Sequence, residues 1–122
     1  MTLPTHADVV IIGGGVIGTS IAYHLGKIGV TDTVLLERHR LTSGTTWHAA
    51  GLVGQLRQSR NLTELAQYSA ELFTGLEAET GQATGFRQNG AISIALTEAR
   101  MEELRRGASM GRNFGLQVDL LS

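Results

Sequence analysis

The chain has 122 residues, 42% of them hydrophobic and 17% charged, with a formal net charge of −1. That is room for one small domain or part of a larger one, and the charge balance gives no ground for binding nucleic acid or an anionic membrane surface. Cysteine is absent, which removes disulfides, thiolate catalysis and Cys-ligated metals. The opening MTLPTHAD has neither the pattern of a secretory signal nor that of a transit peptide. The longest apolar stretch, Val9 to Ile12, is too short to span a bilayer. A cytoplasmic protein without a membrane span is expected, with the mitochondrial matrix its location only if a leader is missing.

Ala7 to Ile12 is a short apolar run ending at glycines, the pattern of a strand buried on both faces in a parallel sheet. After Gly18 the spacing turns helical, with Ile17, Ile21, Leu25 and Ile28 on one stripe and Gly29 placed to stop it. Thr33 to Glu37 reads as a second buried strand, which completes a βαβ unit. Residues 38–60 have no period and form a long loop of the kind that carries function. Asn61 then resembles a helix cap, and Leu62, Leu65, Ala66, Ser69, Leu72, Phe73 and Leu76 follow helical spacing as far as Gly81. Asn89-Gly90 is a hairpin-like turn signal, and Ala91 to Leu96 alternates like a strand. Thr97 can cap a third helix running to about Asn113, with Gly115 after it and Met101, Leu104 and Ala108 on its apolar stripe.

Gly13-Gly14-Gly15-Val16-Ile17-Gly18 is a GxGxxG turn. The pattern alone is weak, but here it follows a strand, opens a helix and leads into a second strand. Gly13 permits the tight turn, Gly15 lets the backbone approach a pyrophosphate, and Gly18 lets helix and strand pack closely. The free N–H groups from Val16 and Ile17 onward, with the positive end of the helix dipole, face the phosphates. Glu37, 19 residues beyond Gly18, sits where an acidic side chain accepts hydrogen bonds from ribose hydroxyls and repels a 2′-phosphate. Its neighbour Arg38 points the other way, since an arginine there can pair with such a phosphate. The fingerprint does not separate NAD from FAD.

The stretch Leu41 to Val53, LTSGTTWHAAGLV, is the most informative. Ser43, Gly44, Thr45 and Thr46 can bring N–H and O–H groups up to a phosphate or a ring edge. Trp47 supplies a flat surface, and the small residues around His48, with Gly51 beyond, leave room for a bulky ligand. With GGGVIG, AYHLGKIG, LLER and the later ETGQATGFRQNGAISIA, this stretch resembles the dimethylglycine and sarcosine dehydrogenase/oxidase family, part of the D-amino-acid-oxidase-like flavoproteins. The resemblance implies FAD as cofactor, attached through its 8α-methyl to the histidine of WHAAG, here His48. The chemistry is compatible, because a neutral imidazole can add to the electrophile formed when that methyl loses a proton.

The resemblance further implies hydride transfer to flavin from an N-methylated glycine such as dimethylglycine or sarcosine. Dioxygen or an electron-transfer flavoprotein would be the electron acceptor. Catalytic residues are expected beyond Ser122, and tetrahydrofolate could enter only through a C-terminal domain absent from this chain. The expected fold is α/β, a Rossmann-type FAD-binding unit over residues 1–82 with the incomplete start of a substrate-binding α+β domain over 83–122. The fragment is expected to be inactive alone. Two alternatives are a non-enzymatic regulatory homologue on the same scaffold and a noncovalent FAD amino-acid oxidase. Arg57, Arg60 and Arg87 could reach a substrate carboxylate, although a solvated surface is the commoner place for each. No His/Asp/Glu cluster has metal-ligand spacing.

Overall fold

The computed structural model describes residues 4–121. They divide into two compact units, one ending at Leu52 and the other beginning at Val53.

The first unit is the βαβ element. Strands β1 (Val9–Ile12) and β2 (Thr33–Leu36) pair in parallel, Val9 opposite Thr33 and Ile12 opposite Leu36. Parallel strands need a crossover, and helix α1 (Val16–Lys27) supplies it. The helix ends through glycine. Gly29 takes φ +86°, its N–H donates to the Gly26 carbonyl, and the Val30 N–H reaches back to the Leu25 carbonyl. These are the paired closing bonds of a left-handed helix stop, which a Cβ at Gly29 would strain.

Burial departs from the sequence expectation. Only Ile11 of β1 is buried, while Ile12 is 86% exposed and Val10 half exposed. A two-stranded sheet with one helix has one covered face, so the apolar run is not enclosed on both. The helical stripe also differs. Gly18 is the buried position of α1, with Ala22 and Leu25 half-buried, while Ile17, Ile21 and Ile28 stay exposed. The helix turns its smallest residue to the strand because that allows the closest approach.

The second unit holds helices α2 (Arg60–Thr80) and α3 (Glu98–Asn113). The cap of α2 is Ser59, whose hydroxyl accepts from the Leu62 N–H, so the expected cap Asn61 lies inside the first turn. Leu62 and Leu65 are exposed, and the face α2 buries carries Thr63 and Ala70 instead. Thr63 is fully buried among bonds that fasten the preceding loop. Its hydroxyl lies 3.1 Å from the Arg57 N–H, 3.3 Å from the Arg57 carbonyl and 2.9 Å from the Ser59 carbonyl. Gly81, at φ +73°, ends the helix as the sequence predicts.

Residues 83–96 form no strand, against the alternation read for Ala91 to Leu96. Ile92, Ile94 and Leu96 are exposed, and no neighbouring strand completes a ladder among the described residues. Gly90 does adopt the positive φ of its turn, and Phe86 packs its ring 5.8 Å from that of Phe73 on α2. Thr97 caps α3 as expected, accepting from the Arg100 N–H. At the far end of α3, Arg60 and Gln67 of α2 donate to the carbonyls of Asn113 and Phe114, and Arg60 also lies over the Phe114 ring. Arg105 and Arg106 pair with Glu98 and Glu102 along an exposed face.

Candidate cofactor-binding site

The carboxyl ends of β1 and β2 lie side by side, and the candidate site is built there by residues 13–48. Gly13 continues β1 by one step, its N–H donating to the Leu36 carbonyl at 2.8 Å, then turns at φ +106°. A Cβ on Gly18 would run into the Gly13 carbonyl oxygen and come within 3.3 Å of Ile11 Cγ2. Only glycine at 18 lets α1 start this close to β1. Gly14, between the glycines singled out from the sequence, is the one reading missed. It is buried, and a Cβ there would meet the Leu41 and Glu37 side chains at 2.5 and 3.1 Å.

Helix α1 begins at Val16 with Gly15 as a cap that has no side chain to satisfy the first amides. One of these groups, and the amide just before the cap, are met from later in the chain. The Gly14 N–H donates to Glu37 Oε2 at 2.8 Å, and the Val16 N–H donates to Thr46 Oγ1 at 2.9 Å. Among the described residues, no acceptor meets the N–H groups of Gly15 or Ile17. That leaves bare donors at the positive end of a helix, beside a glycine with no side chain to block approach.

Glu37 follows directly on β2. Its Oε1 accepts from the His39 N–H at 2.8 Å while Oε2 holds Gly14. These backbone donors, Gly14 first and His39 second, hold its carboxyl below the ordinary 4.5. The group is a fixed anion at the strand end, with lone pairs left over for ligand hydroxyls.

The loop after Glu37 folds back onto the glycine turn. The Thr42 N–H donates to the Gly14 carbonyl at 2.8 Å, and Thr42 takes φ +64°, a left-handed conformation unusual for a β-branched residue. No sequence signal marks Thr42 for this. Ser43 turns its hydroxyl to the Arg40 carbonyl at 2.7 Å. Thr45–His48 then forms one turn of 3-10 helix capped by Gly44. Thr46 is the member of that turn that touches the glycine loop, and a Cβ on Gly15 would sit 3.1 Å from its hydroxyl.

Trp47 is 79% exposed, its indole free to offer a face. His48 is exposed too, with Nδ1 3.0 Å from the Gly44 carbonyl. A carbonyl only accepts, so Nδ1 carries the hydrogen in that bond and the neutral ring keeps its lone pair on Nε2. Gly51 contributes a positive φ, +75°. Among the described residues, the Arg38 and Thr45 side chains make no hydrogen bond or ion pair to the other candidates.

A strand end, a side-chain-free helix start, a fixed carboxylate and a hydroxyl-bearing turn are thus gathered in one place, the form of a dinucleotide cradle. The family model for FAD dependent oxidoreductases matches residues 8–122.

The chain belongs to the FAD dependent oxidoreductase family.

Within that family it is similar to mitochondrial sarcosine dehydrogenase of Mus musculus, at 49% identity over 98% of this chain and 13% of the relative. It is similar also to mitochondrial dimethylglycine dehydrogenase of Homo sapiens, at 50% over 81% of the chain and 11% of the relative. The mitochondrial pyruvate dehydrogenase phosphatase regulatory subunit of Mus musculus is 43% identical over the whole chain and 14% of its own length. Among solved structures, L-proline dehydrogenase from P. horikoshii superimposes with a TM-score of 0.83 at 26% identity, over 93% of this chain and 29% of that one. The chain therefore spans about an eighth of the length of these curated relatives. The neighbouring structure bears out the α/β FAD-binding fold. No helix among the described residues is long and apolar enough to cross a membrane.

Proposed function

We propose that this chain holds FAD for an enzyme that oxidises an N-methylated glycine of the sarcosine or dimethylglycine type. The observation that carries the reading is the convergence at the start of α1. Glu37 holds the Gly14 amide and Thr46 holds the Val16 amide, while the Gly15 and Ile17 amides, one on either side of Val16, remain bare.

The residues present fit the cofactor. The close approach at Gly18 sets the helix start beside the strand end, where a pyrophosphate would sit, and the bare amides of Gly15 and Ile17 would donate to its oxygens. Glu37 would accept from the adenosine ribose hydroxyls and Arg38 would flank them. Ser43, Gly44, Thr45 and Thr46 would border the diphosphate, Trp47 and Gly51 the ring system, and His48 would be the point of covalent attachment. Bound FAD supplies the hydride acceptor. Everything this chain does is orientation and electrostatics: it neutralises the diphosphate with amide dipoles and holds one nitrogen of His48 so that the other is free. We also propose that residues 1–82 belong to the FAD-binding part and 83–122 to the start of a substrate-binding part, the acid or base of the reaction lying in neither. Dioxygen or an electron-transfer flavoprotein would take the electrons, and folate chemistry would need a further domain.

The test is the full-length gene product. It is expected to be yellow, to keep its flavin after acid precipitation, and to bleach on adding sarcosine or dimethylglycine. His48→Ala is expected to release all its flavin on acid treatment. A wild-type protein that releases its flavin as completely as this variant overturns the attachment. One that binds FAD but never bleaches with an amine favours a second reading, a regulatory module, which the likeness to the phosphatase regulatory subunit supports.

A further inference from the structure

We infer that Thr46 is a positioning residue for the attachment of flavin to His48, coupling the start of α1 to the turn that carries the imidazole; the inference rests on the reading above. The Thr46 hydroxyl accepts the Val16 N–H at 2.9 Å, across 30 residues of sequence. Two residues further on, His48 is held through Nδ1 by the Gly44 carbonyl, in the same 3-10 turn. The segment before the turn has its own tie to the glycine loop, the Thr42 N–H on the Gly14 carbonyl, and that one lies ahead of Gly44. The Thr46 bond is therefore the contact that fixes where the turn itself lies relative to the amides that would hold the diphosphate. Trp47 and His48 are exposed, so burial does little to set their place.

Having accepted one hydrogen bond, the Thr46 hydroxyl still has its own hydrogen to donate. No acceptor within the described residues takes it. The side chain thus converts an inward-facing amide into a hydroxyl donor at the rim of the cradle, and the same contact sets the reach of Nε2. Attachment needs that reach. One C–N bond forms between Nε2 and the 8α carbon, one methyl C–H and the Nδ1–H are lost as protons, so the Gly44 bond orients the ring up to attachment, and dioxygen takes the two electrons with two protons and leaves as hydrogen peroxide. Small errors in placing reacting atoms slow such a step steeply.

Two substitutions remove the bond from opposite sides. Thr46→Val keeps the shape and loses the hydroxyl. Val16→Pro loses the amide hydrogen at the first helical position, where proline is tolerated, and Gly15 before it already has the extended ψ of −176° that proline requires. Full-length apoprotein is mixed with FAD in air, and acid-stable flavin is followed with time beside total bound flavin. With attachment counted per bound flavin at saturating FAD, both variants are expected to attach it at least about fivefold more slowly than wild type, and Thr46→Ser to restore the rate. Attachment by either variant at the wild-type rate overturns the inference. So does failure of both variants to fold, which would make the contact purely structural. Should wild type itself form no acid-stable flavin, the attachment at His48 fails, a different result from wild type attaching flavin and Thr46→Val doing so equally well.

Discussion

Substituting alanine for Gly18 tests the tightest glycine contact among the described residues. The added Cβ would overlap the Gly13 carbonyl oxygen and press on the Gly13 carbonyl carbon at 3.1 Å and Ile11 Cγ2 at 3.3 Å. The oxygen resists rotating away, because the Gly14 N–H in the same peptide plane is held by Glu37 Oε2 at 2.8 Å. Helix α1 must then move from β1 by about an ångström, at a cost of about 3 kcal/mol for overpacking against backbone. Against this, alanine gains about 1 kcal/mol over glycine inside a helix, leaving a net loss of about 2 kcal/mol. Gly26, in the same helix, is the control: a Cβ there meets nothing within 4 Å, so Gly26→Ala is expected to add about 1 kcal/mol. Urea denaturation of the two variants should separate them by about 3 kcal/mol, and the same displacement should weaken FAD binding in Gly18→Ala alone. A Gly18→Ala midpoint at or above that of Gly26→Ala would refute the packing argument, since helix propensity would then be the whole effect.

Glu37 gives a pH signature. Its pKa is lowered on folding by the Gly14 and His39 amides, so the stability it contributes is fully present above 4.5 and is lost as the pH falls through the lower folded value. Glu37→Gln should therefore be less stable than wild type near neutrality, with the gap closing in acid; a gap that widens on acidification contradicts the assignment. In the second unit, Thr63→Val leaves the Arg57 N–H without its acceptor in a part-buried place and is expected to cost about 1–3 kcal/mol in urea titration. A loss under about half a kcal/mol would mean that water reaches the Arg57 amide.

What could be read from the sequence follows from how local its cause is. The βαβ element was legible because apolar runs, a glycine turn and a glycine stop each act within a few residues; Gly29 and Gly81 end their helices where glycine can take a positive φ. The strand expected at Ala91 to Leu96 was not, because alternation marks a surface suited to a sheet but does not provide the neighbouring strand. Ser59 and Asn61 are both good caps, and the bond to Leu62 decides for Ser59. The glycine fingerprint and Glu37, read as one neighbourhood, are brought together by the fold through the Gly14 amide. That Thr46, rather than Thr45 or Ser43, meets the Val16 amide depends on the path of a loop held by Thr42 in a left-handed conformation, which no side-chain preference announces. Gly14 was legible only as part of a glycine run, since its burial arises from Leu41 and Glu37 arriving later in the chain.

The short reach of the bonds in the cradle has a consequence for biosynthesis. From the Gly13 N–H on Leu36 to the Val16 N–H on Thr46, none of its described ties spans more than 30 residues, and all lie before His48. Translation delivers the amino-terminal segment first, and close partners find each other soonest. A nascent chain therefore holds every group of these ties once residues 13–46 are outside the ribosome, with no later segment needed to bring them together.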